Sequence, residues 1–266
     1  MPVNPTDLTS AAAVRAAARC GALKHPTSGL ANDCVQANVV ILPREVAFEF
    51  LLFCQRNPAP CPLVEVLEAG EIEAKTTAPG SDVRTDVPRY HVYSHGARSG
   101  EQLDLLDRWR DDFVTFLLGC SFTFEQHLVQ NGIHLPYFGT DKGVSMFKTN
   151  IDTRRAGPFH GPLVVSQRWI PKAKVDWVIE ATRALPLAHG APVHVGDPAK
   201  LGIRDLSQPD FGDSWPPHED SDVPVFWACG VTPQAVAVSS QTSLMITHAP
   251  GHMFVTDLTH RELIDS

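Results

Sequence analysis

Apolar positions along the chain fall into short runs that stop abruptly at small or polar residues. Residues 38–42 (NVVIL) form one such run, ended by Pro43, and the next segment, 44–57, sets Val46, Phe50, Leu51 and Phe53 at helical spacing. Pro43 suits the start of that helix and Asn57-Pro58 its end. Pro58, Pro60 and Pro62 then force an extended passage into a short strand at 63–67. Residues 69–82 are polar and turn-rich, which predicts a surface loop, and Val92 and Tyr93 lead into a strand that stops at His95-Gly96. Trp109, Phe113, Phe116 and Leu117 share one side of a helix predicted over 107–118. Gly119-Cys120-Ser121 interrupts it, and Thr123 with Gln126 three residues later reads as the capping box of a second helix, to about 131–132.

Residues 146–151 alternate like a half-buried strand, 157–162 make a rigid turn, and 163–170 read as another strand. Pro171 opens a helix carrying Val175, Val178, Ile179 and Ala181, and 193–195 is a short strand, so this strand–helix–strand order predicts a parallel crossover unit. The run 225–229 is a buried strand between Pro224 and Gly230, followed by a helix with Thr232 as N-cap and Pro233 at its first position. Two more apolar runs, 244–247 and 253–256, flank the tight loop His248-Ala249-Pro250-Gly251-His252. In an open α/β sheet, loops at strand ends are where ligands sit. No internal repeat is evident in the residues.

Composition narrows the function classes. With 266 residues, 43% hydrophobic and 20% charged, the chain can bury one large core or two smaller ones. The net charge of −8, with basic residues scattered, disfavours nucleic acid and anionic membranes as partners. The alanine-rich N-terminus, interrupted by Arg15 and Arg19, predicts an amphipathic helix ending at Gly21 rather than a secretory signal, with a mitochondrial-type presequence left open. Six cysteines without a CxxC pair point to reduced thiols and a cytoplasmic protein. Six carboxylates and no basic residue make 205–222 an acidic surface loop.

Several side chains have the chemistry for a site. His248 and His252 are four apart, but Pro250 and Gly251 between them rule out the helical geometry of a zinc pair; two imidazoles on one loop could instead serve as acid and base, or bond their own loop backbone. His194 with Asp197 could be an oriented base, although Asp197-Pro198 is equally an ordinary helix start. Cys120 sits near a predicted helix N-terminus, where a thiolate would be stabilised, against the plainer reading of a small buried thiol. Arg84 and Arg89, with Asp82 and Asp86, form either a surface ion-pair cluster or a carboxylate clamp. Neither GxxxxGK[ST] nor GxGxxG after a strand occurs, which disfavours nucleotide chemistry.

Taken together, CQRNPAPCP at 54–62, RTDVPRY at 84–90, LGCSF at 118–122, TNI at 149–151, AGPF at 156–159, HGAPVH at 189–194, GDP at 196–198, FWACGVTPQ at 226–234 and THAPGHM at 247–253 resemble the D-glutamate cyclase family, whose bacterial members are called hydro-lyases. The resemblance spans about 36–258. It departs from the family pattern at Phe147 and Gln167, where tyrosine and methionine are expected, so a phenol at 147 would not be essential. The implied fold is a two-lobed mixed α/β structure, with a three-layer α/β/α lobe (1–68 and 187–266) and a smaller α+β lobe (69–186). The implied reaction removes water from a small amino or hydroxy acid, D-glutamate to 5-oxo-D-proline being the type reaction; that cyclase activity belongs to a larger animal relative with a further C-terminal domain, before which this chain ends. On that basis His248 and His252 would supply acid and base, with His194, Asp197 and Cys120 as further catalytic candidates. Arg84 or Arg89 would hold the carboxylate, with Asp86 a further substrate-binding candidate, and Asn150, Thr232, Gln234 and the N–H groups after Gly230 would face the oxyanion. No metal or cofactor is expected, the partner is a small carboxylate, and a homo-oligomer is left open. Two other classes remain open: a metal-dependent hydrolase or lyase using His189, His194, His248 and His252, and a non-catalytic small-carboxylate binder.

Overall fold

In the computed structural model, which describes residues 8–264, one long strand organises the first sheet. This strand, β1 (Cys34–Pro43), is buried along nearly its whole length. It pairs on one side with β5 (Phe113–Gly119), and on the other with β10 (Met245–His248) near its end and β11 (Phe254–Thr259) near its start. Outside these lie β2 (Leu63–Leu67), next to β5, and the hairpin of β3 (Tyr90–Ser94) and β4 (Ala97–Gln102), next to β10. A second sheet runs β6 (Ser145–Asp152), β7 (Pro162–Pro171), β9 (Asp222–Ala228), β8 (His194–Val195). Helices α2 (Arg44–Arg56) and α5 (Thr232–Ser240) cover one face of the first sheet, where Phe50, Phe53, Val236 and Ala237 pack on Val40, Leu42 and Phe116. Helices α3 (Phe122–Gln130) and α4 (Val175–Arg183) cover the second, with Phe124, Leu128 and Val178 on Val164, Val225 and Trp227. Helix α1 (Ala11–Arg19), capped by Ser10, packs on β11, and α6 (His260–Ile264) follows β11 directly. Residues 1–7 of the N-terminal segment lie outside the described residues. No helix among the described residues is long and apolar enough to cross a membrane.

The mixed α/β class expected from the sequence is present, but every strand pairing is antiparallel. The predicted crossover of β7, α4 and β8 exists, and its two strands run the same way, yet β9 lies between them and is antiparallel to both. The helix predicted over 107–118 is instead β5. Its residues alternate between two cores, Val114, Phe116 and Leu118 on one face and Phe113 and Leu117 on the other. A strand buried on both faces reads as a continuous apolar run, which periodicity cannot tell from a buried helix. Thr123 does not cap α3 either, because its hydroxyl accepts the Gln36 N–H of β1 at 3.3 Å.

The same order of elements occurs twice. β1–α2–β2 followed later by β5–α3 is matched by β7–α4–β8 followed later by β9–α5. Ala37 to Pro43 pair with Gly119 to Phe113, and Val165 to Pro171 pair with Ala228 to Asp222, over the same number of steps. Each second strand ends in Cys-x-x-Thr-x-Glu/Gln, with Cys120, Thr123 and Glu125 in one half and Cys229, Thr232 and Gln234 in the other. Both threonine hydroxyls do the same work, Thr123 accepting Gln36 N–H and Thr232 accepting Val164 N–H at 3.0 Å. The halves also exchange strands: β6 follows α3 but pairs with β7, and β10 follows α5 but pairs with β1.

Candidate active site

The β9–α5 corner is built by close packing. Gly230 lies against Asn38 of β1, whose amide donates to Leu118 O (3.3 Å) and Gly119 O (2.7 Å). A Cβ at position 230 would stand 2.0 Å from Asn38 Nδ2, so no larger residue fits unless the buried Asn38 side chain is displaced. Gly230→Ala is therefore expected to cost about 1–3 kcal/mol as overpacking, read as a lower urea midpoint. One turn into α5, Gln234 is fully buried, its Nε2 donating to His248 O (2.9 Å) and its Oε1 accepting from Tyr93 O–H (3.2 Å).

Tyr93 and Gln234 open onto a cleft of about 220 Å³, closed across by Lys148, Pro162 and Phe211. Lys148 is half-exposed, 3.6 Å from Asp210, with its ammonium 5.5 Å from the centre of the Phe211 ring. Its other flank borders a second hollow of about 230 Å³ that also holds Arg204, Asp205 and Asp210. Behind Tyr93 lies His91, its ring 6.4 Å away and edge-on. Burial, with Arg98 adding to it, pushes the His91 imidazole below its ordinary value, while Glu101 and Gln234 pull the other way. His91 Nε2 lies between Arg98, at 3.3 Å, and the Glu101 carboxylate, at 3.4 Å. Burial pushes the Tyr93 phenol up to about 12. Near neutral pH the cleft therefore presents, across from Lys148, a phenol that keeps its proton, with a neutral imidazole behind it.

The residues singled out in the sequence are distributed over several places. Gln234, His248, Arg89 and His252 gather around β3 and β10. His248 is 1% exposed, its Nδ1 accepts the Val39 N–H at 3.2 Å, and burial takes it down to about 3, so its ring is enclosed rather than facing the cleft. Both His252 ring nitrogens face loop carbonyls, Pro250 O at 2.9 Å and Lys24 O at 3.2 Å, of which a neutral ring donates to one at a time, and burial lowers it too. Arg89 pairs with Glu101 and also donates to Lys24 O. The other charges of the 82–89 segment are satisfied within the protein: Arg84 forks onto Asp82, and buried Asp86 takes both arms of Arg19 at 2.7 Å. Thr232 is likewise engaged, donating to Cys229 O at 2.7 Å.

On the second sheet, the Asp197 carboxylate caps the 3-10 turn Pro198–Leu201 by accepting Ala199 N–H, and His194 Nε2 donates to Asp197 O at 2.8 Å. Asn150 packs against Gly202 at the end of the same turn. Cys120 is buried near Cys229 and Arg168, and burial drives its thiol well above the usual range, away from a nucleophilic thiolate. Among the described residues, no three His, Cys, Asp or Glu side chains are grouped to hold a metal ion, so His189, His194, His248 and His252 do not form such a set.

Two groups escape the sequence reading. His91, Tyr93 and Lys148 are one; the alternation of His91 and Tyr93 along β3 places both on the α5 side of the sheet, which is the signal that could have found them. The other is a wholly buried pair, Glu125 and Arg168, 2.7 Å apart. Ser28 and Tyr137 also donate to Glu125 at 2.7 Å, and Arg168 donates to Ser121 and Ser166.

Residues 114–257 match the D-glutamate cyclase family. The chain is 52% identical over 256 residues to a Stutzerimonas stutzeri protein named "Putative hydro-lyase", covering 96% of each. It is also 52% identical over 237 residues to a protein of the same name from Natranaerobius thermophilus, covering 89% of this chain and 90% of the relative. With "Putative hydro-lyase YcsI" of Bacillus subtilis it shares 50% identity over 250 residues, 94% of this chain and 97% of the relative. At that identity over nearly full length, the chain belongs to the D-glutamate cyclase family.

Proposed function

We propose that the chain is a hydro-lyase that binds a small amino or hydroxy acid with a second carboxylate in the α5 cleft and removes water from it, with conversion of D-glutamate to 5-oxo-D-proline as the type reaction. The observation that carries this reading is the convergence of Lys148 and the Tyr93–Gln234 pair on one cleft, with His91 behind them. Cyclisation needs the α-ammonium to shed two protons, its nitrogen to attack the γ-carboxylate carbon, and one carboxylate oxygen to depart with those protons as water. Lys148 offers a point charge for a carboxylate. His91, kept neutral, is available to take the first proton. Tyr93 keeps its proton to well above neutral pH, and its O–H, given to Gln234 Oε1 in the free protein, can turn to the tetrahedral oxyanion.

The test is incubation of the purified protein with a panel of D- and L-amino acids and hydroxy acids, followed by mass spectrometry for loss of one water. Loss from one acid and its enantiomer's inertness is the expected result. If none reacts while D-glutamate still raises the melting temperature, the cleft binds without catalysing. For the acid that reacts, Tyr93→Phe is expected to lower kcat by about 10²-fold with little change in KM. Lys148→Met is expected to raise KM by about tenfold or more with a smaller effect on kcat. Equal kcat effects from the two variants would remove this division of labour.

A further inference from the structure

The twofold order of the fold gives the α5 cleft a counterpart. By the matching registers, Ala235 and Ser239 on α5 correspond to Gln126 and Gln130 on α3, and the start of β7 at Pro162 corresponds to the start of β1 at Cys34. At that equivalent place a second cleft of about 220 Å³ opens between α3, α4 and the start of α6, the same volume as the first. Its floor is apolar, made by Phe124 and Leu185 with Ala181 of α4 and Ala184 at its C-cap, whose small side chains leave the space.

Its rim is polar, and the charge differs from that of the first cleft. Asp33, Gln126, Gln130, His127 and His260 line it, with no lysine or arginine among them. Among the described residues the Asp33 carboxylate makes no ion pair. The Gln126 and Gln130 amides and the His127 ring make no hydrogen bond there either, although His127 lies tilted against Trp177 at 5.4 Å. Only His260 is engaged, its Nε2 directed at Cys34 O at 3.2 Å, and burial keeps it below its ordinary value despite the nearby Asp33. The rim thus offers one formal negative charge, two amide carbonyls and imidazole lone pairs above an oily floor, on a protein whose net charge is −8. That combination suits a cation with a short hydrocarbon body and repels an anion.

We propose that the α3–α4 cleft is a second binding site, for a small molecule carrying an ammonium group on a short apolar body, with Asp33 holding the ammonium and Phe124 and Leu185 receiving the body. This second site stands whether or not the α5 cleft is catalytic.

The test uses the full chain, labelled with ¹⁵N, titrated with n-butylammonium chloride and in parallel with 1-butanol and sodium butyrate. These probes share one hydrocarbon body and differ in head group. The expected result is saturable shifting of the Gln126 and Gln130 side-chain amides and of backbone amides in α3 and α4 by the ammonium, and none by butyrate. Asp33→Asn, an exposed and near-isosteric change, is expected to weaken the ammonium by about tenfold or more. Ala184→Trp, which fills the floor from an exposed helix position, is expected to abolish it. Equal affinity of the Asp33→Asn protein, shifts from butyrate equal to those from the ammonium, or shifts confined to α5 and β6 would each overturn the site. Should Ala184→Trp fail to fold, the Asp33→Asn titration decides alone.

Discussion

Glu125→Ala is expected to remove about 3–5 kcal/mol of stability, the cost of leaving a buried partner charge uncompensated. Both side chains of the Glu125–Arg168 pair have no solvent exposure, and the guanidinium lies over both the Phe124 and Trp227 rings, 5.2 and 5.3 Å from their centres. Truncating Glu125 strips the acceptor from Arg168, from the Ser28 hydroxyl and from the Tyr137 phenol together. The Arg168 Nε already lacks a partner among the described residues, so the site has no spare acceptor to offer. Against the roughly 5–15 kcal/mol that holds ordinary domains together, such a loss lowers the urea midpoint by about a fifth or more, or prevents folding at 37 °C. The double replacement Glu125→Leu with Arg168→Met should recover most of the loss, because an apolar pair of similar volume needs no compensation. A double variant as unstable as Glu125→Ala would show that the cost lies in packing or in the two hydroxyls rather than in the stranded charge.

The residues that made the fold legible were those whose pattern is local. Prolines at 43 and 171 each mark the junction of a strand with the helix after it, and α2, α4, α5 and most strands lie where periodicity puts them. What escaped depends on partners far away in the chain. β5 reads as a helix because its two faces meet different cores, a fact contributed by Phe50 and Val236 on one side and by Ala74, Val83 and Val87 on the other. Thr123 and Thr232 look like helix caps, but each is committed to the N–H of a neighbouring strand. The internal twofold order is hidden because equivalent positions differ in size: Ser121 of the first half corresponds to Gly230 of the second, and Asn38 of the first to Ser166 of the second. The candidate site was half legible. Gln234 and the neighbourhood of His248 came from the sequence, whereas His91, Tyr93 and Lys148 are brought to α5 only by the pairing of β3 with β10 and of β6 with β7.

Acid should unfold the protein well above the range where carboxylates protonate, because its buried histidines are held neutral. His248 is down to about 3 and His189 to about 4, in each case chiefly through burial, with the His189 Nδ1–H given to Ala59 O at 2.7 Å. Neither ring's Nε2 has a partner among the described residues. In the unfolded chain both would titrate near 6.5. Their folded values lie lower, so the unfolded state binds more protons as pH falls, and stability complete above about pH 6.5 is lost below it. Each ring removes about 1.4 kcal/mol per pH unit until its own folded value is reached, so together they cost roughly 7 kcal/mol by pH 4. His91, His252 and His260 shift in the same direction and steepen the slope. Asp82 and Glu101 are lowered as well, but what they contribute is lost only below the ordinary carboxylate values, which leaves the window from pH 6.5 to 4.5 to the histidines. Urea midpoints measured across that window should fall steeply for the wild type and less steeply for His189→Asn and His248→Asn. Asparagine suits both positions: it tolerates the left-handed backbone of residue 189 (φ 75°) and can donate to Ala59 O, and at 248 its carbonyl can accept the Val39 N–H. If both variants kept the wild-type slope, the loss of stability in acid would have to come from groups other than these two rings.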